Sequence, residues 1–442
     1  MRTVSIFVGV VFSLLLVSSP IMASEVLTLE ESIEIALERS LSLYSAREEI
    51  RAKEFAERSA RADLFPKFST RYAYTRLDQK TVDDATYVIG GREYSPLEEY
   101  SYDFNITGTQ PLFTGWALTI TRELASLGVD LAKVQKETAI QDLIVNVKGA
   151  YFGILKAQKL EKVARQAVEQ LEAHLRVAQA FYEEGLIAKN ELLQTEVQMA
   201  QARQDLIRAT NRAEIAVSLF NKLLRRELGE KVRIKDILDY HPVGLTLGEC
   251  MERAELNRPE IKEVSLNVAS AEKNVGLSKS SYYPTVNLIG NFERQTATEQ
   301  YIGKVDPDRW TITLEAQWTF WEWGKKRDEV ASARAQMAKT KHVLQELKDN
   351  IQLEVKDAYL NLREAEKNIQ VARTAVVQAE ENFRMNEERY KQQVATSTDV
   401  LDAQTLLTQA RTNYFNALSE HNIAWARLER AMGIGYEGGG ES

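Results

Sequence analysis

No proline falls between Pro111 and Pro242, and none separates Pro307 from the last residue, Ser442. Proline removes a backbone donor and clashes with the preceding turn, so these two spans, each well over a hundred residues, carry no obligatory helix breaker. Within the second, apolar positions run Ile351, Val355, Ala358, Leu362, Ala365, Ile369, Ala372, Val376, Ala379 and Phe383, in alternating steps of four and three. That 3.5-residue period is a coiled-coil seam. The first span repeats it at Ile120, Leu124, Leu127, Leu131 and Val134, then at Leu143, Val147, Ala150, Ile154 and Ala157. Ala117 to Phe181 is about 65 residues, on the order of 100 Å of helix. No globular domain buries a helix that long, so the helices must pack side by side.

The chain also repeats itself. LTLEESIEIAL from Leu27 returns as LTLGECMERAE from Leu245, a shift of 218 that also pairs Pro66 with Pro284. A shift of 208 pairs AYFGILKAQ from Ala150 with AYLNLREAE from Ala358, and YEEGLIAKNELLQ from Tyr182 with YKQQVATSTDVLD from Tyr390. The ten-residue difference falls between Pro66 and Pro111, where the first half carries a longer polar insert. Two repeats are therefore expected, at 24–224 and 245–432, joined by a linker at 225–244 and followed by a flexible tail at 433–442. Each holds a helix, two strands and a long helical hairpin, the hairpins spanning 115–224 and 324–432.

The segments beside the prolines follow a period of two. Tyr100, Tyr102, Phe104 and Ile106 alternate with small polar residues, as do Trp310, Ile312, Leu314, Ala316 and Trp318. Phe68, Tyr72 and Tyr74 make a third apolar face, and Val286, Leu288 and Phe292 a fourth, blurred by Ile289. Four strands are expected, near 66–77, 99–112, 284–295 and 308–319, with Pro66, Pro111 and Pro284 at helix–strand junctions. Large apolar groups alternating with small polar ones suit a transmembrane β-strand. Trp116, Trp318, Trp321 and Trp323 cluster where strands meet helices, as an interfacial aromatic girdle would. The other reading is a soluble amphipathic sheet lying on a helical core.

MRTVSIFVGVVFSLLLVSSPIMAS reads as a signal peptide over residues 1–23. Cys250, aligned with Ser32 of the first repeat, is the only cysteine, which rules out a disulfide framework. The formal charge of −8 is interleaved with lysine and arginine and argues against nucleic acid as a partner. His174, His241, His342 and His421 show no ligand spacing, so no metal or cofactor is expected. No nucleophile elbow or phosphate loop is present, and no enzyme activity is expected.

If the strands enter a membrane, four cannot close a barrel, because each open edge would leave backbone hydrogen bonds unmade in lipid. Three copies give twelve strands and room for an aqueous lumen, whereas two give eight, which side chains would fill. The helices then continue as a tube. The breaks GLIAKNE (Gly185–Glu191) and QVATSTD (Gln393–Asp399) read as helix–helix turns: Gly185 suits a left-handed helix end, and Thr396 with Asp399 matches a capping box.

The order of elements, the two repeats, PLFTGW after the second strand, NRPEI after the second LTL segment and the paired breaks resemble the TolC-like outer membrane efflux protein family. The resemblance spans nearly the whole mature chain. It implies an α+β membrane protein, a homotrimer with a shared 12-strand outer-membrane β-barrel and a periplasmic α-barrel of long antiparallel coiled-coil helices. Such a protein is the exit duct for an inner-membrane transporter and a periplasmic adaptor, in efflux or type I secretion. Gly185, Leu186, Ile187, Ala188, Glu191, Val394, Ala395, Thr396 and Ser397 would form the tip where the adaptor docks. Tyr390, Asp399 and Asp402 match the family's constriction residues, and Glu191 an acidic partner. Ala395 stands where the family has a basic residue and Gln393 where it has a glycine, which leaves a charged latch in doubt. Asp399 and Asp402, three apart on a helix, share a face, so a trimer would gather six carboxylates round one axis and attract cations. The plainer reading makes both simple helix-start acids. The competing function is a soluble periplasmic coiled-coil adaptor or scaffold.

Overall fold

A computed structural model describes residues 26–85, 87–94, 100–297 and 308–435. The expected signal peptide and most of the expected tail lie outside the described residues, as do residue 99 of the second expected strand and two short stretches between strands. The first half opens with β1 (Val26–Leu27), α1 (Leu29–Arg39), α2 (Leu41–Ala62) and β2 (Lys67–Arg76). The polar insert holds α3 (Gln79–Ala85) and a small hairpin, β3 (Tyr87–Ile89) and β4 (Arg92–Tyr94). Then come β5 (Tyr100–Phe113), α4 (Ala117–Glu183) and α5 (Lys189–Leu223). After β6 (Arg233–Ile234) the second half follows as α6 (Leu247–Asn257), α7 (Pro259–Ser280), β7 (Thr285–Ala297), β8 (Asp308–Gln317), α8 (Lys325–Lys391) and α9 (Ser397–Ala431).

Helix lengths pair off across the halves. α1 and α6 have 11 residues each, α2 and α7 22, α4 and α8 67, α5 and α9 35. The same capping box starts α1 (Thr28 with Glu31) and α6 (Thr246 with Glu249). Backbone strain follows the same pairing. Trp116, Arg225, Trp323 and Gln393 are the non-glycine residues with positive φ among those described, and 208 residues away from them stand Gly324, Gly433, Gly115 and Gly185, all of positive φ. Each turn thus has one conformation in both halves, and glycine supplies it without steric cost in only one of them.

Four helical columns result. The 67-residue helices α4 and α8 are continuous, while the other two columns are stacked pairs, α5 leading into α2 and α9 into α7. At the first joint Leu43 of α2 is buried with Phe220 and Leu224 at the end of α5. At the second, Arg258 caps the start of α7 and its Nη1 donates to the carbonyls of Arg430 and Ala431 at the end of α9, both at 3.4 Å. Head-to-tail stacking puts a cation and helix-start N–H groups against a negative helix end. In the half nearer the sheet, α4 packs against α2 and α7, and α7 against α8; in the other half α4 packs against α5 and α9, and α9 against α8. α4 is therefore central and buries seventeen residues, whereas α8 lies at an edge and buries eight. The seam expected along α8 is the one it buries, from Ile351 to Ala372.

The linker crosses this wall at mid-height. β1 and β6 pair in parallel, and the Tyr151 hydroxyl of α4 donates to the carbonyls of Leu27 (3.1 Å) and Lys235 (2.8 Å). No described helix is long and apolar enough to cross a membrane.

The four long strands form one antiparallel sheet in the order β2-β5-β7-β8, leaving β2 and β8 as open edges. The register aligns Tyr74 with Tyr102, Tyr72 with Phe104, Ile106 with Phe292 and Leu288 with Leu314, so all four apolar rows share one face. Phe68, Tyr72, Trp310, Ile312 and Leu314 on it are exposed. The Phe68 ring covers Gly108, where a Cβ would collide with it. The opposite face is polar: Asn105 donates to Asn291 (2.8 Å), Thr107 to Asn105 (2.7 Å), and Arg309 pairs with Glu293 (2.8 Å).

Candidate constriction at the hairpin tips

The α4–α5 and α8–α9 hairpins end in matching turns. Gly185 and Leu186 donate to the carbonyls of Tyr182 (3.0 Å) and Phe181 (2.8 Å); Gln393 and Val394 donate to those of Tyr390 (2.9 Å) and Arg389 (2.9 Å). Both are Schellman closures, which need a left-handed residue at the position held by Gly185 and Gln393. The halves then diverge. Ala188 precedes α5 without a side-chain cap, whereas Thr396 and Asp399 form a full capping box on α9. The Thr396 N–H and hydroxyl each donate to Asp399 Oδ2 at 2.8 Å, and together they hold its carboxyl below the usual carboxylate range. Asp402 is exposed one turn on, with no ion pair among the described residues. Both of the readings weighed for these acids therefore bear on Asp399, which is a helix-start acid by its contacts. Leu186 and Val394 are exposed at the turns, and Thr398 donates to Gln194 across the tip at 3.4 Å.

Tyr390 is not at the surface. It continues the α8 seam, seven residues past Phe383, and is buried with its ring 4.8 Å from that of His174 and 5.4 Å from that of Phe181. In this conformation it joins hairpins within one chain and lines no open space. Of the residues around it, the sequence pointed to Ser397 and Glu191 only as parts of the tip, and gave no role to His174, Phe181 or Thr195. His174 Nε2 lies 2.8 Å from Ser397 Oγ, which lies 2.9 Å from Thr195 Oγ1, and Thr195 donates to the Glu191 carbonyl at 3.0 Å. One buried polar cluster thus draws on α4, α5, α8 and α9. Burial lowers the His174 pKa to about 4, with Glu387 of α8 opposing. The available signal was seam position: Tyr390 falls in step with the apolar residues before it.

At the sheet end, Pro66 and Pro284 sit directly before β2 and β7. Pro111 lies near the end of β5, within the strand expected near 99–112, beside a register shift between Pro111 and Phe113, where a missing N–H is tolerated. Trp116, Trp318, Trp321 and Trp323 are all exposed. Trp116 packs edge-on against Tyr283 (4.9 Å), Trp318 donates to the Tyr282 carbonyl (3.1 Å), and Trp321 and Trp323 stand 5.8 Å apart. Cys250 is fully buried in an apolar cluster with Val355 and Leu428. Among the described residues no three His, Cys, Asp or Glu side chains converge to hold a metal.

An edge-open antiparallel sheet, aromatic on one face and polar on the other, carried on helical hairpins of about 100 Å, is the architecture of an outer-membrane channel subunit. The chain belongs to the outer membrane efflux protein family, whose profile matches residues 32–224 and 250–434. Among curated relatives it is 22% identical to the alkaline protease secretion protein AprF of Pseudomonas aeruginosa, over 92% of this chain and 85% of that one. It is also 22% identical to the outer membrane protein TolC of Escherichia coli, over 79% of this chain and 73% of that one. Solved structures with the same fold include the MtrE outer membrane channel of Neisseria gonorrhoeae in its open state (TM-score 0.77, 19% identity, 94% and 91% covered). The outer membrane protein VceC of Vibrio cholerae is another (TM-score 0.77, 16% identity, 92% and 97% covered). The family is one of transport channels rather than enzymes, and it resides in the outer membrane.

Proposed function

We propose that three copies of this chain form an exit duct through the outer membrane, and that the hairpin tips receive substrates from a periplasmic adaptor coupled to an inner-membrane transporter. One observation carries the reading: the sheet has two unpaired edges and an exposed aromatic face, an arrangement sustainable in lipid only when neighbouring copies close the edges. Three copies supply twelve strands, with the Asn105–Asn291 and Arg309–Glu293 row facing the lumen and Phe68, Tyr72, Trp310 and Leu314 facing lipid. The exposed tryptophans at the strand–helix junctions then sit at headgroup level.

At the far end, Leu186, Ile187, Val394 and Ala395 form the adaptor contact, and Asp402 with Asp399 forms the narrowest ring. Both carboxylates are exposed; Asp399 is in addition tied to the Thr396 N–H and hydroxyl, so Asp402 is the freer of the two to meet a cation. Tyr390 contributes indirectly, by holding the second hairpin against the first. The relatives' names span export of a protease (AprF) and of small molecules (the toluene efflux pump protein TtgC of Pseudomonas putida), so the duct reading covers both efflux and secretion. Purified protein should run as a trimer in detergent and conduct ions in planar bilayers; a monomer in the soluble periplasmic fraction would overturn the proposal.

A further inference from the structure

The linker between the two halves runs across the helices as a strap and is tied to three of them in turn. On α4, the Tyr151 hydroxyl donates to the Lys235 carbonyl (2.8 Å) and Lys159 pairs with Asp236. On α9, Asn422 donates to the Asp239 carbonyl (3.0 Å), and Leu238 is buried in one core with Ala417 and Leu418. On α8, Arg363 donates to the carbonyls of Val243 (3.1 Å) and Leu245 (2.8 Å), while the Val243 N–H donates to Glu366 (3.4 Å). Beneath the middle of this strap sits His421 of α9, 2% exposed, its ring edge-on to that of Tyr240 at 5.1 Å. Both of its ring nitrogens are buried, and neither has a hydrogen-bond partner among the described residues.

A neutral imidazole carries one donor and one acceptor, and leaving both unmade in an interior costs free energy. The matching position in the first half, 208 residues earlier, is Ala213, so this place on the helix does not call for an imidazole to fill it. The geometry points to a use: the linker strap is held closed over α8 and α9 while His421 is neutral, and it is released when His421 binds a proton. An imidazolium has two N–H donors and a charge, and the closed site offers those donors no acceptor within hydrogen-bond distance. It reaches water only by leaving the space under Tyr240, and the strap that covers it has to lift.

The charged groups around His421 leave that direction unchanged. From α8, Glu366 favours the proton, but its carboxylate is already engaged by Arg363 (2.7 Å) and the Val243 N–H. From the linker, His241 opposes the proton, and the Lys159–Asp236 pair between α4 and the strap has no net charge. Burial is the largest influence and lowers the His421 pKa from its ordinary 6.5. The opened strap therefore binds protons in preference to the closed one, so its hold is complete above about pH 6.5 and weakens as the pH falls toward the folded value. For an imidazole of pKa about 6.5 in the opened state, opening rises by up to about 30-fold between pH 7.5 and 5. The device lies within one chain and does not depend on the number of copies in the duct.

Hydrogen–deuterium exchange of the full chain in detergent at pH 7.5 and 5, corrected for the intrinsic pH dependence of exchange, tests the strap. Its reporters are the amides of Asp239 and Val243, which donate to the Ile237 carbonyl (2.8 Å) and to Glu366. Their protection should fall by up to about 30-fold at the lower pH, while the α4 amides around Tyr151 keep theirs. His421→Phe keeps a ring under Tyr240 without a titratable nitrogen, and His421→Gln keeps a neutral polar group; each should remove the pH dependence. His241→Asn should leave it in place, because that histidine is exposed in both states of the strap. Strap protection in the unmodified chain that does not change with pH overturns the proposal without recourse to any variant. A loss of protection spread evenly over strap and helices, or one that persists in either His421 variant, overturns it as well.

Discussion

His174 and Ser397 tie the two helical hairpins of one chain together, with Nε2 2.8 Å from Oγ and both side chains buried near the tip. The histidine pKa is about 4 in the folded chain against an ordinary 6.5, so the unfolded chain binds more protons between these values. Stability contributed by neutral His174 is therefore complete above about pH 6.5 and falls as the pH drops toward 4, by up to about 3 kcal/mol per chain. Asn382 occupies the matching place in the second half. Thermal unfolding of His174→Asn should lose much of the wild type's decline in Tm between pH 6.5 and 4; parallel declines would show that the histidine is not the group responsible.

The two aspartates of α9 should separate functionally. Both are exposed, but Asp399 also caps α9 through Thr396 whereas Asp402 makes no ion pair among the described residues, so Asp402→Ala should reduce block by multivalent cations added from the periplasmic side several-fold in planar bilayers and leave the helix start intact. Asp399→Ala should in addition fray the start of α9, visible as faster amide exchange there. Block unchanged by both substitutions together would remove the constriction from this hairpin.

Gln393 takes a left-handed conformation that its counterpart Gly185 adopts freely. Gln393→Gly should relieve strain and raise stability by about 0.5–1 kcal/mol once the extra freedom of the unfolded glycine is counted. Gly185→Ala should cost about 1 kcal/mol, since nothing lies near its added Cβ. Gly433→Ala should cost considerably more, because that Cβ would overlap the backbone of Asn257 and Arg258. Denaturant midpoints of the three variants rank these effects.

Arg258 is buried at the joint between α9 and α7, paired with Glu354 (2.8 Å) and Glu260 (3.0 Å) while donating to two helix-end carbonyls. Arg258→Ala deletes the buried cation of the joint and takes a donor from two helix-end carbonyls, while Glu260 keeps Arg430 and Glu354 is half-exposed, so it should destabilise the chain by about 2 kcal/mol. Ser40, its counterpart at the other joint, caps α2 through its hydroxyl and belongs to no ion pair, so Ser40→Ala should cost only about 1 kcal/mol. Similar Tm losses in the two variants would mean that the ion network adds nothing to the second joint.

Much of the architecture was legible because it is periodic. The α8 seam, the alternation of Trp310, Ile312 and Leu314, and the 208- and 218-residue shifts are local regularities, and a helix or strand turns them directly into faces. The tip was legible in its turn chemistry, at Gly185, Thr396 and Asp399. It was not legible in its interior: His174, Thr195 and Ser397 lie 223 residues apart at the extremes and meet only because α4 packs against α9.

By itself the sequence determined which residues form helices and strands and which stripe of each is apolar, since these depend on spacing within a few turns. It did not determine how many stripes are covered. α4 and α8 have one length and one seam, yet α4 is central and buried on several sides while α8 is left with a bare second stripe at Leu360 and Val371. That difference, the inward turn of Tyr390 and the joint at Arg258 all come from which helix lies beside which. Neighbour identity is set by contacts hundreds of residues apart, and no local period encodes it.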